Sequence, residues 1–371
     1  MRLLRHGMIA AGSTAALLLI AGPAWGDGPF LHTVSTVSKV ASTVPAQGKG
    51  AGDVNPYGVA VVPRDTGGLH RGWVLVSNFN NAANLQGTGT TIVQVSPGGQ
   101  VQVFARINAA RLPGSCPGGV GLTTALSALR SGWVVVGSLP TTNGMAATAR
   151  SGCLLVLDSA GVVRETITGP LINGPWDMVA IDRGDSADLF VSSVLNGTVA
   201  AGGAVVHRGT VVRIPLRLPA HGLPHAGTPV VVGSGFGEHS DPAALVVGPT
   251  GLALHGDTLY VADTVANRLA TIPHAMTRHT TALTGTTLTT GGALNSPLGL
   301  ALAPNGDVLS VNAGDGLVVE TTPAGRQSAT RKLDGSGSPP GAGALFGLAL
   351  RPDQRGVYVV DDATNTLNLL H

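Results

Sequence analysis

Beyond residue 27 the apolar positions of this chain fall in short runs separated by glycine, proline, asparagine and aspartate, and they almost nowhere recur at helical spacing. Leu252–Leu254 is one such run, closed by the turn-forming His255-Gly256-Asp257; Leu259–Ala262 and Arg268–Ile272 follow. Runs of this length with turn signals between them predict strands. Asn305-Gly306, set between two apolar runs, predicts a tight type I′ hairpin, whose central residues need positive φ. TIVQVSPGGQVQVFA (91–105), CLLVLDSAGVVRETI (153–167) and VVETTPAGRQSAT (318–330) each read as two strands joined by a glycine-containing turn.

The pattern repeats. GPTGLALHGDTLYVADTVANRLATI (248–272), NSPLGLALAPNGDVLSVNAGDGLVVET (295–321) and GALFGLALRPDQRGVYVVDDATNTLNLL (343–370) align on Gly251, Gly299 and Gly347. Their period of about 48 residues marks a supersecondary unit stacked on copies of itself. Weaker copies lie upstream: NPYGVAVVP (55–63) with GWVLVSNFNN (72–81), GGVGLTTAL (118–126) with GWVVVGSLPTTNG (132–144), and NGPWDMVAI (173–181) with DLFVSSVLNG (188–197). The anchors are then Gly58, Gly121, Asp177, Gly251, Gly299 and Gly347. Four strands in each of six units predict an all-β fold, a six-bladed β-propeller with antiparallel blades near 55–105, 118–168, 173–232, 248–290, 295–333 and 343–370. The sixth unit ends after its third strand, Thr366–Leu370, leaving an edge that invites aggregation. The β-branched segment LHTVSTVSKVASTV (31–44) has the length and composition to fill that edge and close the ring.

LYVADTVANRLATI (259–272) and VYVVDDATNTLNLL (357–370), with the linking stretch GSGFGEHSDPAALVVGPTGLAL (233–254), resemble the NHL repeat, clearly in the last three units and faintly in the first three. The resemblance implies a six-bladed propeller, in agreement with the strand count. NHL propellers serve as peptide- and nucleic-acid-binding platforms and extracytoplasmic sensor domains, and relatives act as metal-dependent lyases or lactonases. The resemblance therefore implies a fold more narrowly than an activity.

Composition sets the location and excludes some partners. Arg2 and Arg5, the apolar stretch Met8–Ala21, and Ala24 and Gly26 at small-residue positions predict a Sec-type signal peptide over 1–26. The mature chain, 27–371, is then a single soluble domain exported to the periplasm or secreted. No second apolar stretch of about 18 residues follows, so no transmembrane segment is expected. The 22 basic and 20 acidic residues form no polybasic patch, which argues against nucleic acid as a partner. A monomer is expected. Cys116 and Cys153 are a disulfide candidate in an oxidising compartment. The strands they flank lie about 9.6 Å apart in such a blade, so the loop over 113–119 must fold over to close the gap.

In a propeller the inner strands converge on one axis, and the loops leading into them form a rim where ligands and metal ions gather. The rim candidates are Asn55, Tyr57, Asn173, Trp176, Asp177, Asn295 and Phe346. The three asparagines precede the inner strands of alternate units, where their amides either ring the channel or cap their own turns. Asp177 stands where the other anchors carry glycine. Such a carboxylate suits a general base or a Ca²⁺ ligand, or else bonds the backbone amides of a neighbouring blade. Gly237–Asp241 reads as a polar loop, and Asp177, Glu238, His239 and Asp241 are the candidate ligands for Ca²⁺ or Zn²⁺. Asp263, Asp361, Asp362, Asn267 and Asn365 read as turn caps, and His221, His225, His274 and His279 as surface residues. The resemblance implies, for a lactonase, a glutamate in the first unit with asparagine and aspartate at the channel, and for a lyase, channel histidines. Here Asn55 and Tyr57 come without the glutamate, and only His239 approaches an anchor. No GxSxG elbow, P-loop, CxxC pair or other complete catalytic or cofactor motif is legible. The leading reading is an exported platform that binds a protein, glycan or small ligand through its channel rim. The alternative is a metal-dependent hydrolase or lyase with its site on the axis.

Overall fold

The structure, a computed structural model, describes residues 28–46, 51–242 and 244–371; the expected signal peptide lies outside them. Six antiparallel sheets form the blades of a propeller. Their inner strands are Val54–Val61, Leu122–Ala128, Pro175–Asp182, Pro249–His255, Pro297–Leu302 and Leu345–Leu350, one per blade. The upper face is taken here as the one from which the chain enters these strands.

Small residues at the axis let the blades meet. A Cβ on Gly251, Gly299 or Gly347 would collide with the backbone carbonyl of Leu298, Phe346 or Tyr57 in the following blade. Serines of the second strands lace blade to blade: the N–H of Gly58 donates to the Ser77 hydroxyl, which donates to the Thr123 carbonyl at 2.7 Å. Asp177, Ser192 and Thr250 repeat that arrangement. Blade two departs from the expected alignment. Leu122 pairs with Ser138 and Leu126 with Val136, so one extra residue sits in the bulge at the axis. Thr124 rather than Gly121 therefore lines the channel beside Asp177, and Asp177 is not alone in replacing an axial glycine.

The ring closes as the strand count requires. Val37–Ser42 is the outer strand of blade six and pairs antiparallel with Thr366–Leu370. Just before it, the N–H groups of Phe30 and Leu31 both donate to the buried Glu320 carboxylate at 2.7 Å, and Arg331 donates to the carbonyls of Leu31 and Val34. The head of the described chain is thus buckled to blade five before it seals blade six.

Of three local expectations, two are corrected. Asn305-Gly306 does not form a type I′ turn: Pro304 fixes a negative φ at the first central position, and only Gly306 is left-handed, at φ 85°. Cys116 and Cys153 are bonded, with Cα atoms 5.3 Å apart. The loop does fold over, and its Gly118 N–H bonds the Ser151 carbonyl just ahead of the third strand. Finally, Gly237–Asp241 is strand, not loop. The outer strand of blade three runs Val230–Asp241 and pairs first with the equally long Val206–Arg217, then with Leu245–Val247. Its ladder partners on both sides satisfy the backbone of a segment whose glycines and polar side chains read as irregular.

Candidate functional site

The long outer strand of blade three rises past the upper face, and its continuation, residues 239–242 and 244–247, turns over the axis. Ala244, Leu245, Val246 and Val247 are buried against Tyr57, Leu139, Trp176, Val194, Leu298 and Phe346, side chains from six other strands and loops around the ring. Tyr57 stacks on Phe346 at 3.9 Å and on Phe79 at 4.4 Å between ring centroids. The Trp176 indole N–H donates to the Val246 carbonyl at 3.1 Å. Across the axis, the Gln86 amide donates to the Pro242 carbonyl at 2.7 Å. Tyr57, Trp176 and Phe346, expected on an open rim, are therefore a buried aromatic layer under the chain's own hairpin. They sit one residue ahead of the axial register, so each blade delivers its ring to the same depth.

Below that layer the axis holds a cavity of about 150 Å³ lined by Val59, Thr124, Leu126, Asp177, Leu252 and Leu348, among others. The Asp177 carboxylate accepts the N–H of Leu252 in blade four at 2.8 Å, the neighbouring-amide arrangement. Burial in these apolar walls pushes its pKa up to about 7 against the two backbone amides that favour its charge.

The asparagines do not form a ring. Asn173 donates to Asn196, accepts from Ser193, and through Asn196 connects to Glu238, whose carboxylate accepts the Asn196 backbone and side-chain amides at 2.8 and 3.2 Å. That network ties the root of the hairpin to the upper loop of blade three, and burial pushes Glu238 up to about 7. Asn196, which joins two of the expected site residues, went unnoticed in the sequence because it reads there as the turn residue closing DLFVSSVLNG (188–197). Asn295 is exposed and packs on Gly314. Asn55 is buried, with its backbone N–H bonded to the Asn365 side chain. Asp177, Glu238, Asn295 and Asn55 thus lie in four separate environments. Among the described residues, no three His, Cys, Asp or Glu side chains converge on a point suited to a metal ion.

A different set of oxygens lies above the aromatic layer. The Tyr57 hydroxyl and Asn55 Oδ1 are buried, and neither has a well-formed hydrogen bond to the described residues. Burial, and then the charges of Asp362 and Asp241, hold the Tyr57 phenol well above its usual pKa, and the adjoining Asn55 amide opposes that rise. Burial, followed by the charge of Asp361, pushes Asp362 up to about 7. Asp362, read from sequence as a turn cap, is the residue missed here; its signal was the doubled Asp361-Asp362 where the sister motif has Asp263-Thr264.

Beside this group, a pocket of about 330 Å³ opens between the hairpin and blades four to six. His239, Asp241, Thr264 and Ser296 supply its polar lining, and Val247, Leu298 and Phe346 much of its apolar wall. His239 Nδ1 lies 2.7 Å from the Ser240 carbonyl, which can only accept, so a neutral ring keeps its lone pair on Nε2. His221, His225, His274 and His279 are exposed and far from consideration as a cluster. Among the described residues, no helix is long and apolar enough to cross a membrane.

No protein-family model and no curated protein matches this sequence. Solved structures do match in fold. A gluconolactonase from Xanthomonas campestris superposes with a TM-score of 0.54 at 12% identity, over 90% of this chain and 88% of its own. Regucalcin from Agrobacterium tumefaciens, a calcium-binding protein, gives 0.50 at 12% identity over 89% and 94%. A catalytically inactive histidine-to-alanine form of virginiamycin B lyase from Staphylococcus aureus gives 0.50 at 12% over 90% and 99%. At these identities the likeness establishes the shared propeller architecture alone, and the NHL label receives no separate support.

Proposed function

We propose that this chain is an exported, monomeric propeller that takes a small organic ligand in the upper-face pocket and acts on it as a cation-assisted hydrolase or lyase. The observation that carries this reading is the pair of orphaned buried oxygens, Asn55 Oδ1 and Tyr57 Oη, beside the carboxylates Asp241 and Asp362. A set of oxygen donors suits Ca²⁺ better than Zn²⁺, which favours nitrogen and sulfur. A hard cation held there would polarise an acyl or ether oxygen of the ligand. The chain's own residues do the rest: Leu298, Val247 and Phe346 exclude water, Thr264 and Ser296 orient polar groups, and His239 Nε2 can accept a proton. The activities of the gluconolactonase and the lyase favour this reading over a platform without chemistry.

Binding without turnover is the second reading, favoured by the aromatic layer and hairpin that fill the top of the axis. One experiment separates the two. Purified protein is assayed for Ca²⁺ uptake and for hydrolysis of a panel of γ- and δ-lactones, beside Tyr57→Phe, Asp362→Asn and His239→Ala. The proposal expects cation-dependent turnover, Ca²⁺ uptake lost in Asp362→Asn, and turnover in His239→Ala lowered by about a hundredfold or more with Ca²⁺ uptake kept. Calorimetric binding of a lactone without turnover selects the second reading; neither Ca²⁺ uptake nor lactone binding would sink both.

A further inference from the structure

The lower face carries a larger cavity that the reading above does not use. Four turns meet there, two from blade two and two from blade three, and form a cavity of about 510 Å³ lined by Ser131, Trp133, Asp158, Ser159, Asp185 and Leu218, with Gly184 and Gly222 exposing bare backbone. Trp133 is half-buried, packed on one side against the core between blades two and three. Its indole N–H and the hydroxyls of Ser131 and Ser159 make no hydrogen bond to the described residues. Asp158 is already committed to Arg164 and to the backbone N–H groups of Ala160 and Val162, whereas Asp185 bonds only the adjacent Ser186 hydroxyl through its side chain.

We propose that this lower-face cavity binds a neutral sugar, one or two pyranose rings long. A pyranose has an apolar face of axial C–H groups and a rim of hydroxyls. It needs one flat aromatic wall and several unspent donors and acceptors around it. Trp133 supplies the wall; its indole N–H, the two serine hydroxyls and the Asp185 carboxylate supply the rim. The lining contains no basic side chain to hold a phosphate or carboxylate ligand, and its mixture of apolar and polar surface matches a sugar's own. The volume lies within the range of small-ligand sites and accommodates a disaccharide. Aromatic residues are scarce in this chain, at 4%, and only four tryptophans occur in it. Leaving the face of one of them half-open beside the cavity is unneeded for packing alone. The site stands on the opposite face from the upper pocket, so its fate is independent of that reading.

Titration of the full mature protein with maltose, cellobiose and N,N′-diacetylchitobiose, followed by calorimetry and tryptophan emission, tests it. At least one of the three is expected to bind with a Kd of about 10 mM or tighter and to shift the emission. Asp185→Asn and Trp133→Phe are each expected to weaken binding by about tenfold, the loss of one charge-assisted hydrogen bond or of most of the stacking surface. Both variants keep the shape of the turn, and their thermal melts report whether the fold is intact. Silence towards all three sugars up to about 50 mM, well above that Kd, overturns the proposal. Binding that survives unchanged in both folded variants does so too.

Discussion

At the scale of single residues, Asp177 shows how position converts an ordinary carboxyl into a sensor of pH. Burial raises its folded-state pKa to about 7 from an ordinary 3.8. The folded protein therefore retains a proton that the unfolded chain gives up. The stability linked to that proton is complete below about pH 4 and is lost as the pH rises towards 7, by at most about 4 kcal/mol. Asp177→Asn keeps an oxygen that can accept the Leu252 N–H and cannot ionise. Its urea-denaturation midpoint is expected to fall less between pH 5 and pH 8 than that of the parent protein. An identical fall in both would show that Asp177 is not the group responsible. Little of this was legible in the sequence. That Asp177 interrupts a glycine register was visible; that Thr124 does the same was hidden by one extra residue in blade two. The depth at which Asp177 lies, beneath a layer of aromatic rings, depended on a hairpin no repeat pattern could place.

At the scale of elements, the repeat made the strands easy to read and the departures from it hard. Inner and second strands share apolar runs and turn glycines, because every blade solves the same packing problem against its neighbours. The strands 230–241 and 245–247 belong to one blade only, and Gly235, Gly237 and the polar Glu238-His239-Ser240-Asp241 look like loop until their pairing partners are known. The aromatic layer was legible as Tyr57, Trp176 and Phe346, but its burial was not, since the covering segment comes from elsewhere in the chain. Asp362 was likewise assigned to its local turn, because its relation to Tyr57 spans the whole ring. The disulfide of blade two is another local device with a distant effect. It closes a loop across a sequence separation of 37 residues. Constraining the unfolded chain over such a loop is worth about 3–4 kcal/mol. The double variant Cys116→Ala, Cys153→Ala is expected to unfold at lower denaturant with a slope no shallower than the parent's, since its unfolded chain is less constrained, and to melt alike with and without reductant, where the parent should be weakened by it. A midpoint equal to that of the oxidised parent would mean the bond contributes nothing to stability.

At the scale of the whole molecule, a propeller has one weak seam, where the chain's two ends must find each other, and here two contacts of different chemistry guard it. The strand Val37–Ser42 supplies the backbone partners that Thr366–Leu370 otherwise lacks. Glu320, fully buried in blade five, fixes the approach to that strand by accepting two backbone N–H groups and the Asn305 amide. Removing the strand exposes an apolar edge as long as the missing element, and such edges pair with one another between molecules. Deletion of residues 28–44 is therefore expected to yield oligomers or aggregate rather than a looser monomer, as read by size-exclusion chromatography with light scattering. Glu320→Ala is the milder lesion: the strand stays, while two buried N–H groups lose their acceptor at about 1–3 kcal/mol each. The variant is expected to remain monomeric and fold, with a thermal midpoint several degrees lower; Glu320→Gln, which keeps one acceptor oxygen, should fall between it and the parent. The order parent, glutamine, alanine follows only if the carboxylate itself holds the seam. Equal melting of all three would place the closing energy in the strand alone.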